Sequence, residues 1–410
     1  MKSLKVKIKL DYLQSVKLET LSNEHRLLYN HLLGKIKDDK PSDFKTINEN
    51  YKNFRKENNL TINSNSSQLT SRNLINSILS FYQLKKKDKD AKFPYKFKSW
   101  KFFQSFTFNW NNSGGGFKII NNEIIINLLS CAKKEPNLII KLPEYCKIIN
   151  EYNIKTLSFK KENDDYYIVF VYSEKDSNKN IEDNNNFISI DLGISNIITS
   201  FSNKRSNFSV RNLKQKKLQK RIEEVQSKKD KKTKNSKKHK KLNKTYKRLK
   251  RKQSNIQKDF QHKLSRIIVN ECIENNISKL IIGDLKVKSI LKSDNHKING
   301  LSKSTSSLGR FKTFLEYKSK NEDISFYKIS EYNTSKMNCI TKEISLNSDL
   351  KNREFELIKD VFIDRDLNSA INIANKVMGE CLTQFSKEDF LLNKMYFDLH
   401  QCKLRYDKKS

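Results

Sequence analysis

The chain opens on strict alternation. Leu4, Val6, Ile8 and Leu10 are separated by Lys5, Lys7 and Lys9, and this period of two predicts a half-buried strand. Between residues 20 and 90 the spacing becomes helical: Leu27, Leu28 and Leu32, then Leu74, Ile75, Ile78, Leu79 and Tyr82, with the polar run Asn63–Ser67 predicted as a loop between them. From Trp100 to Ser173 short alternating runs return. They are Phe106–Phe108, Glu123–Ile126 and Tyr166–Tyr172, with Gly114–Gly116 and Asn163–Asp165 as turns. The pattern predicts an antiparallel β domain, closing into a small barrel, that begins at residue 1 and is interrupted by the helical block.

A polar connector, Lys175 to Asn186, marks the sharpest change in composition and predicts a domain boundary. Two strands follow, Phe187–Asp191 and Asn196–Phe201, joined by a turn containing Gly193. A long helical segment then runs from Arg211 to Asn276, its second half carrying Ile256, Phe260, Leu264, Ile267 and Ile268 on one face. Lys279–Gly283 reads as a buried parallel strand, Arg310–Lys320 as a helix, and Ile324–Glu331 as a further strand before a final helix. That order predicts a mixed α/β sheet with crossovers, which the RNase H-like fold satisfies.

Charge adds what pattern leaves out. Among 410 residues, 82 Lys and Arg face 46 Asp and Glu, a net charge of +36. This excludes a neutral enzyme for small apolar substrates and points to a polyanionic partner, nucleic acid first. Lys228 to Arg251 concentrates the effect, with 14 basic residues in 24 and Asp230 as the only acid. Helical spacing puts Lys244, Lys247, Arg248 and Arg251 along one stripe, suited to phosphates rather than to base edges. The six cysteines (131, 146, 272, 339, 381 and 402) contain no CxxC pair and read as buried free thiols. No apolar run reaches 18 residues and the start is unlike a signal peptide, so no membrane partner and an intracellular location are expected, cytoplasmic in a prokaryote and nuclear in a eukaryote or its virus.

Three acids stand where a metal-dependent nuclease needs them: Asp191 ending a strand, Glu331 ending a later one, and Asp366 opening the last helix. Each alone could serve a turn or cap a helix. Together and in this order they match phosphodiester hydrolysis with two Mg²⁺ ions, which needs hard oxygen ligands converging from separate elements.

The segments Ile190–Asn196, Arg211–Leu213 with the Lys-rich helix after it, Ile282–Leu285, Glu331–Ser335 and Asp364–Ile373 resemble the RuvC-like nuclease of the transposon-encoded TnpB family, its Fanzor relatives and the compact type V CRISPR effectors. The likeness covers residues 187–376, and Pro94–Lys98 with Gln104–Phe106 is similar to the family's earlier β-domain motif. The resemblance implies an RNA-guided DNA endonuclease, a monomeric ribonucleoprotein bound to guide RNA and target DNA. It implies a β-barrel wedge domain at 1–18 and 92–180, a helical recognition insert at 19–91, and a RuvC-like nuclease domain at 187–332 and 363–380. A degenerate zinc-ribbon, target-strand-loading insert is expected at 333–362 and a C-terminal tail at 381–410. Nucleic acid is expected on Arg211, Lys237, Lys238, Lys240, Lys241, Lys244, Lys247, Arg248 and Arg251, and Tyr95, Phe97 and Trp100 are expected either to pack in the core or to stack on bases or riboses.

Two departures from the family pattern matter. Where much of the family has a catalytic Glu this chain has Gly283, followed by Asp284, and the resemblance to Fanzor-like members implies that the glutamate has moved to Glu331. The ligand set is then Asp191, Glu331 and Asp366, with Asp284 as runner-up because neighbouring strand residues point to opposite faces. The zinc ribbon keeps only Cys339, with Lys342, Leu357 and Asp360 at the other positions, so no zinc is expected. The loop is predicted to be held instead by Phe355, Leu357, Ile358, Val361 and Phe362. Two other functions compete: an RNA-guided DNA-binding repressor that has lost cleavage, and a basic RNA-binding structural protein.

Overall fold

The computed structural model describes residues 2–39, 44–93, 95–110, 116–128, 137–146, 152–173, 184–284, 307–344, 353–359, 361–379, 390–399 and 401–407. Pro94, Gly114, Gly115, Cys131, Asp360, Cys381 and most of the 175–186 connector lie outside them. The chain divides into two compact units, Met1–Ser177 and Asn178–Ser410.

In the first unit the opening alternation becomes β1 (Lys2–Ile8), with Val6 and Ile8 buried and the lysines exposed. It joins an antiparallel sheet in the order β1, β7 (Asp165–Ser173), β6 (Asn153–Glu162), β2 (Phe106–Asn109). A separate antiparallel sheet holds β3 (Phe117–Ile120), β4 (Glu123–Ile126) and β5 (Leu138–Lys141). The expected barrel is therefore two sheets among the described residues, sharing one apolar core with α1 (Tyr12–Asp39), α2 (Phe44–Glu57) and α3 (Ser64–Lys87).

The run Asn63–Ser67, expected as a loop, is the start of α3. The Asn63 side chain caps it by accepting from Asn65 N at 2.8 Å, and the Ser66 and Ser67 hydroxyls donate to Asn63 O. Such residues favour loops and N-caps for one reason, a side-chain oxygen that competes for backbone N–H groups. Leu27, Leu79 and Tyr82, predicted on core faces, are exposed, and Phe81 is buried instead.

The second unit is built on a seven-stranded mixed sheet, in the order β12 (Ser325–Ile329), β11 (Lys279–Gly283), β8 (Phe187–Asp191), β9 (Asn196–Ser202), β10 (Phe208–Arg211), β15 (Asn393–Asp398), β16 (Lys403–Tyr406). β12, β11 and β8 are parallel, β9 runs against β8 and β10, and β10 is parallel to β15. The C-terminal tail expected at 381–410 thus contributes two strands. Its residues Met395 and Phe397 alternate with polar neighbours and fill the core beside Phe260.

Alternation assigns the faces. Ile188, Ile190, Leu280 and Ile282 pack with Phe260, Leu264 and Ile268 of α5 (Lys237–Glu274) and Phe311 and Leu315 of α6 (Ser307–Lys320). Phe187 and Ile281 pack with Leu367, Ala370, Ile371 and Ala374 of α7 (Arg365–Met378) on the opposite face. The long helical segment expected from Arg211 is in fact the end of β10 followed by two helices, α4 (Lys216–Asp230) and α5, whose turn uses Asn235 at φ 69° and the Ser236 cap.

Candidate active site

Period two carries the site onto one face. Ile190 and Ile282 face α5 and α6, so Asp191 and Gly283, one residue on, face α7, while Asp284 returns to the α6 side. There its carboxylate is paired with Lys312 of α6. Asp284, the runner-up ligand, is thereby turned away from Asp191.

Glu331 lies just beyond β12 rather than within it, and the chain doubles back. Thr334 N and Oγ1 both donate to Glu331 O at 3.2 and 3.0 Å, and Lys376 Nζ donates to Ser330 O and Tyr332 O on either side. Held this way, the Glu331 side chain reaches over Gly283. A Cβ built on Gly283 would stand 2.2 Å from Glu331 Oε1 and 2.7 Å from its Cγ. The Glu331 carboxylate occupies the space that a side chain at 283 would take, and only glycine leaves room for it.

Asp366 was open to a capping role from sequence. The cap is Asp364, whose Oδ1 accepts from Asp366 N at 2.9 Å and Leu367 N at 3.4 Å, leaving the Asp366 side chain to the site. Asp191 Oδ1 accepts from Ser369 Oγ at 3.2 Å, and Ser369 touches Thr334 Oγ1 at the same distance. Asn368 and Asn372 of α7 donate to Met337 O and Thr334 O, tying residues 334–339 to the helix. Ser369, Asn368, Asn372 and Thr334 were not singled out as site residues, although two buried asparagines four apart in an Ala- and Ile-rich helix are a readable signal of a fixed backbone partner.

The electrostatics are those of crowded acids. Burial first, then the Glu331 and Asp366 charges, hold the Asp191 carboxyl well above the usual carboxylate range, against the opposing Ser369 bond and Arg365. Burial and Asp284 push Glu331 up to about 7, with Lys312 opposing. Glu331 Oε1 is buried with no hydrogen-bond partner. Buried like charges with an orphaned acceptor are relieved by a hard cation, so the donor set fits magnesium in kind. Among the described residues no three ligating side chains are yet gathered around one point. Asp366 is instead bound to Arg353.

Among the described residues of the expected insert and just after it, β13 (Glu354–Ile358) and β14 (Val361–Asp364) pair as an antiparallel hairpin. Phe355, Leu357 and Ile363 are buried, whereas Ile358 and Phe362, expected to hold it, are exposed. Cys339 is buried and its thiol is pushed up to about 12, while Cys402, expected to be buried, is exposed.

On α4 and α5 the basic residues face outward: Lys237, Lys238, Lys240, Lys241, Lys244, Lys247 and Arg248 are exposed and Arg251 half-buried. Arg211 is exposed and paired with Asp407 at 2.7 Å. In the first unit Phe97 and Trp100 are exposed among Lys96, Lys98 and Lys101. Tyr95 takes the core role of the two expected for it, packing on Phe93 and donating to Ser77 O at 2.9 Å. No helix among the described residues is long and apolar enough to cross a membrane.

Comparison with known proteins bears on this geometry. Residues 169–288 match the OrfB_IS605 family, described as a probable transposase, and residues 309–373 match the Cas12f1-like TNB domain. No curated protein matches the sequence. Among solved structures, a Cas12f1–sgRNA–target DNA complex is similar with a TM-score of 0.56 at 14% identity, over 89% of this chain and 83% of that one. A CRISPR–Cas12f ternary complex has a TM-score of 0.40 at 16% identity over 88% and 81% of the two chains. C2c1 of Alicyclobacillus acidoterrestris with single-guide RNA has a TM-score of 0.40 at 10% identity, over 90% and 70%. The two family matches fall on the segments that carry Asp191 and Asp366, and the fold is similar to that of Cas12f1, so the chain resembles the TnpB-like proteins in these segments.

Proposed function

We propose that this protein is an RNA-guided DNA endonuclease with one RuvC-like, RNase H-type site formed by Asp191, Glu331 and Asp366. The observation that carries the reading is the Glu331 carboxylate seated over Gly283, on the same face as Asp191 and beside α7. A decayed site has no reason to keep a buried, unpartnered carboxylate oxygen at the one position the lost side chain would have filled. Two Mg²⁺ ions held by these three carboxylates would supply the activated water and the stabilisation of the leaving oxygen. The chain's own residues do the positioning: Ser369 orients Asp191, Asp364 frees Asp366 by capping α7, and Thr334 with Lys376 fixes the turn bearing Glu331.

The partners follow from charge and from the relatives. Lys237, Lys238, Lys240, Lys241, Lys244, Lys247 and Arg248 present point charges to a phosphate backbone, and guide pairing supplies the sequence reading. Phe97 and Trp100 offer exposed rings between lysines for stacking. The protein acts as a monomeric ribonucleoprotein, cytoplasmic in a prokaryote and nuclear in a eukaryotic or viral setting. The segment around Cys339 takes no zinc in this reading, because Leu357 is buried in the core and the Lys342 ammonium donates to Cys339 O.

The repressor reading draws on the Arg353–Asp366 pair, which a silent site could retain. Cleavage of guide-matched DNA in Mg²⁺ or Mn²⁺ by the purified ribonucleoprotein separates the two. Asp191→Ala, Glu331→Ala and Asp366→Ala should each abolish cleavage and spare guide and target binding. Wild-type protein that binds its target and never cuts it would leave the repressor as the better reading.

A further inference from the structure

The Arg353 guanidinium reaches Asp366 through NH1, at 3.0 Å from Oδ2 and 3.4 Å from Oδ1, while NH2 donates to Ser195 Oγ at 3.1 Å. Ser195 belongs to the turn that follows Asp191 along the chain. A single cation thus links the elements that bear two of the three site carboxylates.

Its placement is built into the backbone. β13 and β14 pair with Glu354 opposite Asp364, and Arg365 N donates to Arg353 O at 2.8 Å, so the hairpin register sets Arg353 beside the first turn of α7. The two ends of the contact differ in exposure. Asp366 keeps 15% of its side-chain surface in water and Arg353 keeps 52%, so the arginine can swing out while the aspartate stays. Arg365, the other cation near Asp366, lies 3.9 Å away and makes the weaker contact.

We infer that Arg353 is a cation-mimicking latch, a positioning residue that holds Asp366 and must release it before a divalent ion can be ligated there. The inference rests on the nuclease reading for the identity of the site, but its logic is electrostatic. A guanidinium and a metal ion cannot use the same carboxylate oxygens together, so the latch lowers the site's affinity for divalent ions by the free energy of the ion pair. The consequence is a site that stays unarmed at low divalent-ion concentration.

The test is Mn²⁺ binding to the full chain without DNA, followed through the electron paramagnetic resonance signal of free Mn²⁺. A half-exposed ion pair made through one guanidinium nitrogen is expected to compete by about two- to fivefold, so Arg353→Gln should tighten Mn²⁺ binding by that factor. Arg353→Lys, which keeps the charge without the fork, should fall between. With Asp366→Asn in place, Arg353→Gln should change nothing. Equal or weaker Mn²⁺ binding by Arg353→Gln, with an unchanged melting temperature, overturns the latch, as does tightening that survives Asp366→Asn. Because no cleavage is measured, tighter binding by Arg353→Gln in a protein that never cuts DNA would uphold the latch and overturn the nuclease reading alone.

Discussion

Replacing Gly283 by alanine tests the site with a single methyl group. The new Cβ would fall 2.2 Å from Glu331 Oε1, 2.7 Å from Cγ and 2.8 Å from Cδ, whereas ordinary contact begins at 3.4 Å. The carboxylate arm must therefore retreat by about 1 Å, and a displacement of that size at a reacting centre costs on the order of 100-fold in rate, about 2.7 kcal/mol of barrier. Stability should barely respond, by about 1 kcal/mol at most, because the displaced atoms end a flexible side chain and an acid moving toward water relieves its own burial. The assay is single-turnover cleavage of guide-matched DNA in Mg²⁺, with target binding and thermal unfolding measured on the same preparations. A double-mutant cycle makes it specific: Gly283→Ala should cost nothing further in a Glu331→Ala background, since the two changes remove one thing. Cleavage by Gly283→Ala within about threefold of wild type, or an equal loss on top of Glu331→Ala, would refute the claim that Glu331 works from above Gly283.

Asp284→Ala should leave cleavage within a few-fold of wild type, because Asp284 faces α6 and Lys312; abolition by this change with Glu331→Ala silent would reassign the ligand. His25 is buried, stacked on Phe106, and held down to about 3 by burial, so its neutral form is the folded one. A folded pKa below the unfolded 6.5 gives stability that is whole above 6.5 and lost as pH falls toward 3. By pH 5 the loss is about 2 kcal/mol, and a His25→Phe variant should show a stability difference between pH 8 and 5 that is smaller by that amount in denaturant titrations. Alanine at Lys237, Lys238, Lys240 and Lys241 together should weaken nucleic-acid binding across sequences and lower the salt slope by roughly one for each phosphate no longer neutralised; an unchanged slope would remove the hairpin from the interface. Elemental analysis of the purified chain should find no stoichiometric zinc, and one equivalent would show that ligands other than Cys339 are recruited.

Much of the fold was readable because periodicity is local. The alternation at Leu4–Leu10, the run Lys279–Gly283 and the helical stripe of Phe260, Leu264 and Ile268 each state which side is buried without reference to any distant residue. Where reading failed, one local signal had two meanings. Asn63–Ser67 is chemically a loop or a helix start, and the packing of α3 decided it. The last strands were missed because their alternation is short, Met395 and Phe397 alone, and the parallel partner that gives it meaning, Phe208 opposite Asn393, lies 185 residues upstream.

The same division runs through the site. Sequence by itself determined the inventory: a basic hairpin, carboxylates at 191, 331 and 366 on separate elements, a glycine where a glutamate was expected, and cysteines too few for a zinc ribbon. Only the tertiary structure decided which acids meet. Parallel pairing of β8 with β11 puts Asp191 and Gly283 on the α7 face and turns Asp284 away, and the tight turn after β12 sends Glu331 back over the glycine. Hairpin register then sets Arg353 against Asp366. These are relations between segments tens to hundreds of residues apart, fixed by which strands pair and how the crossovers pack; hydrophobic period assigns each strand its buried face but does not name its partner strand.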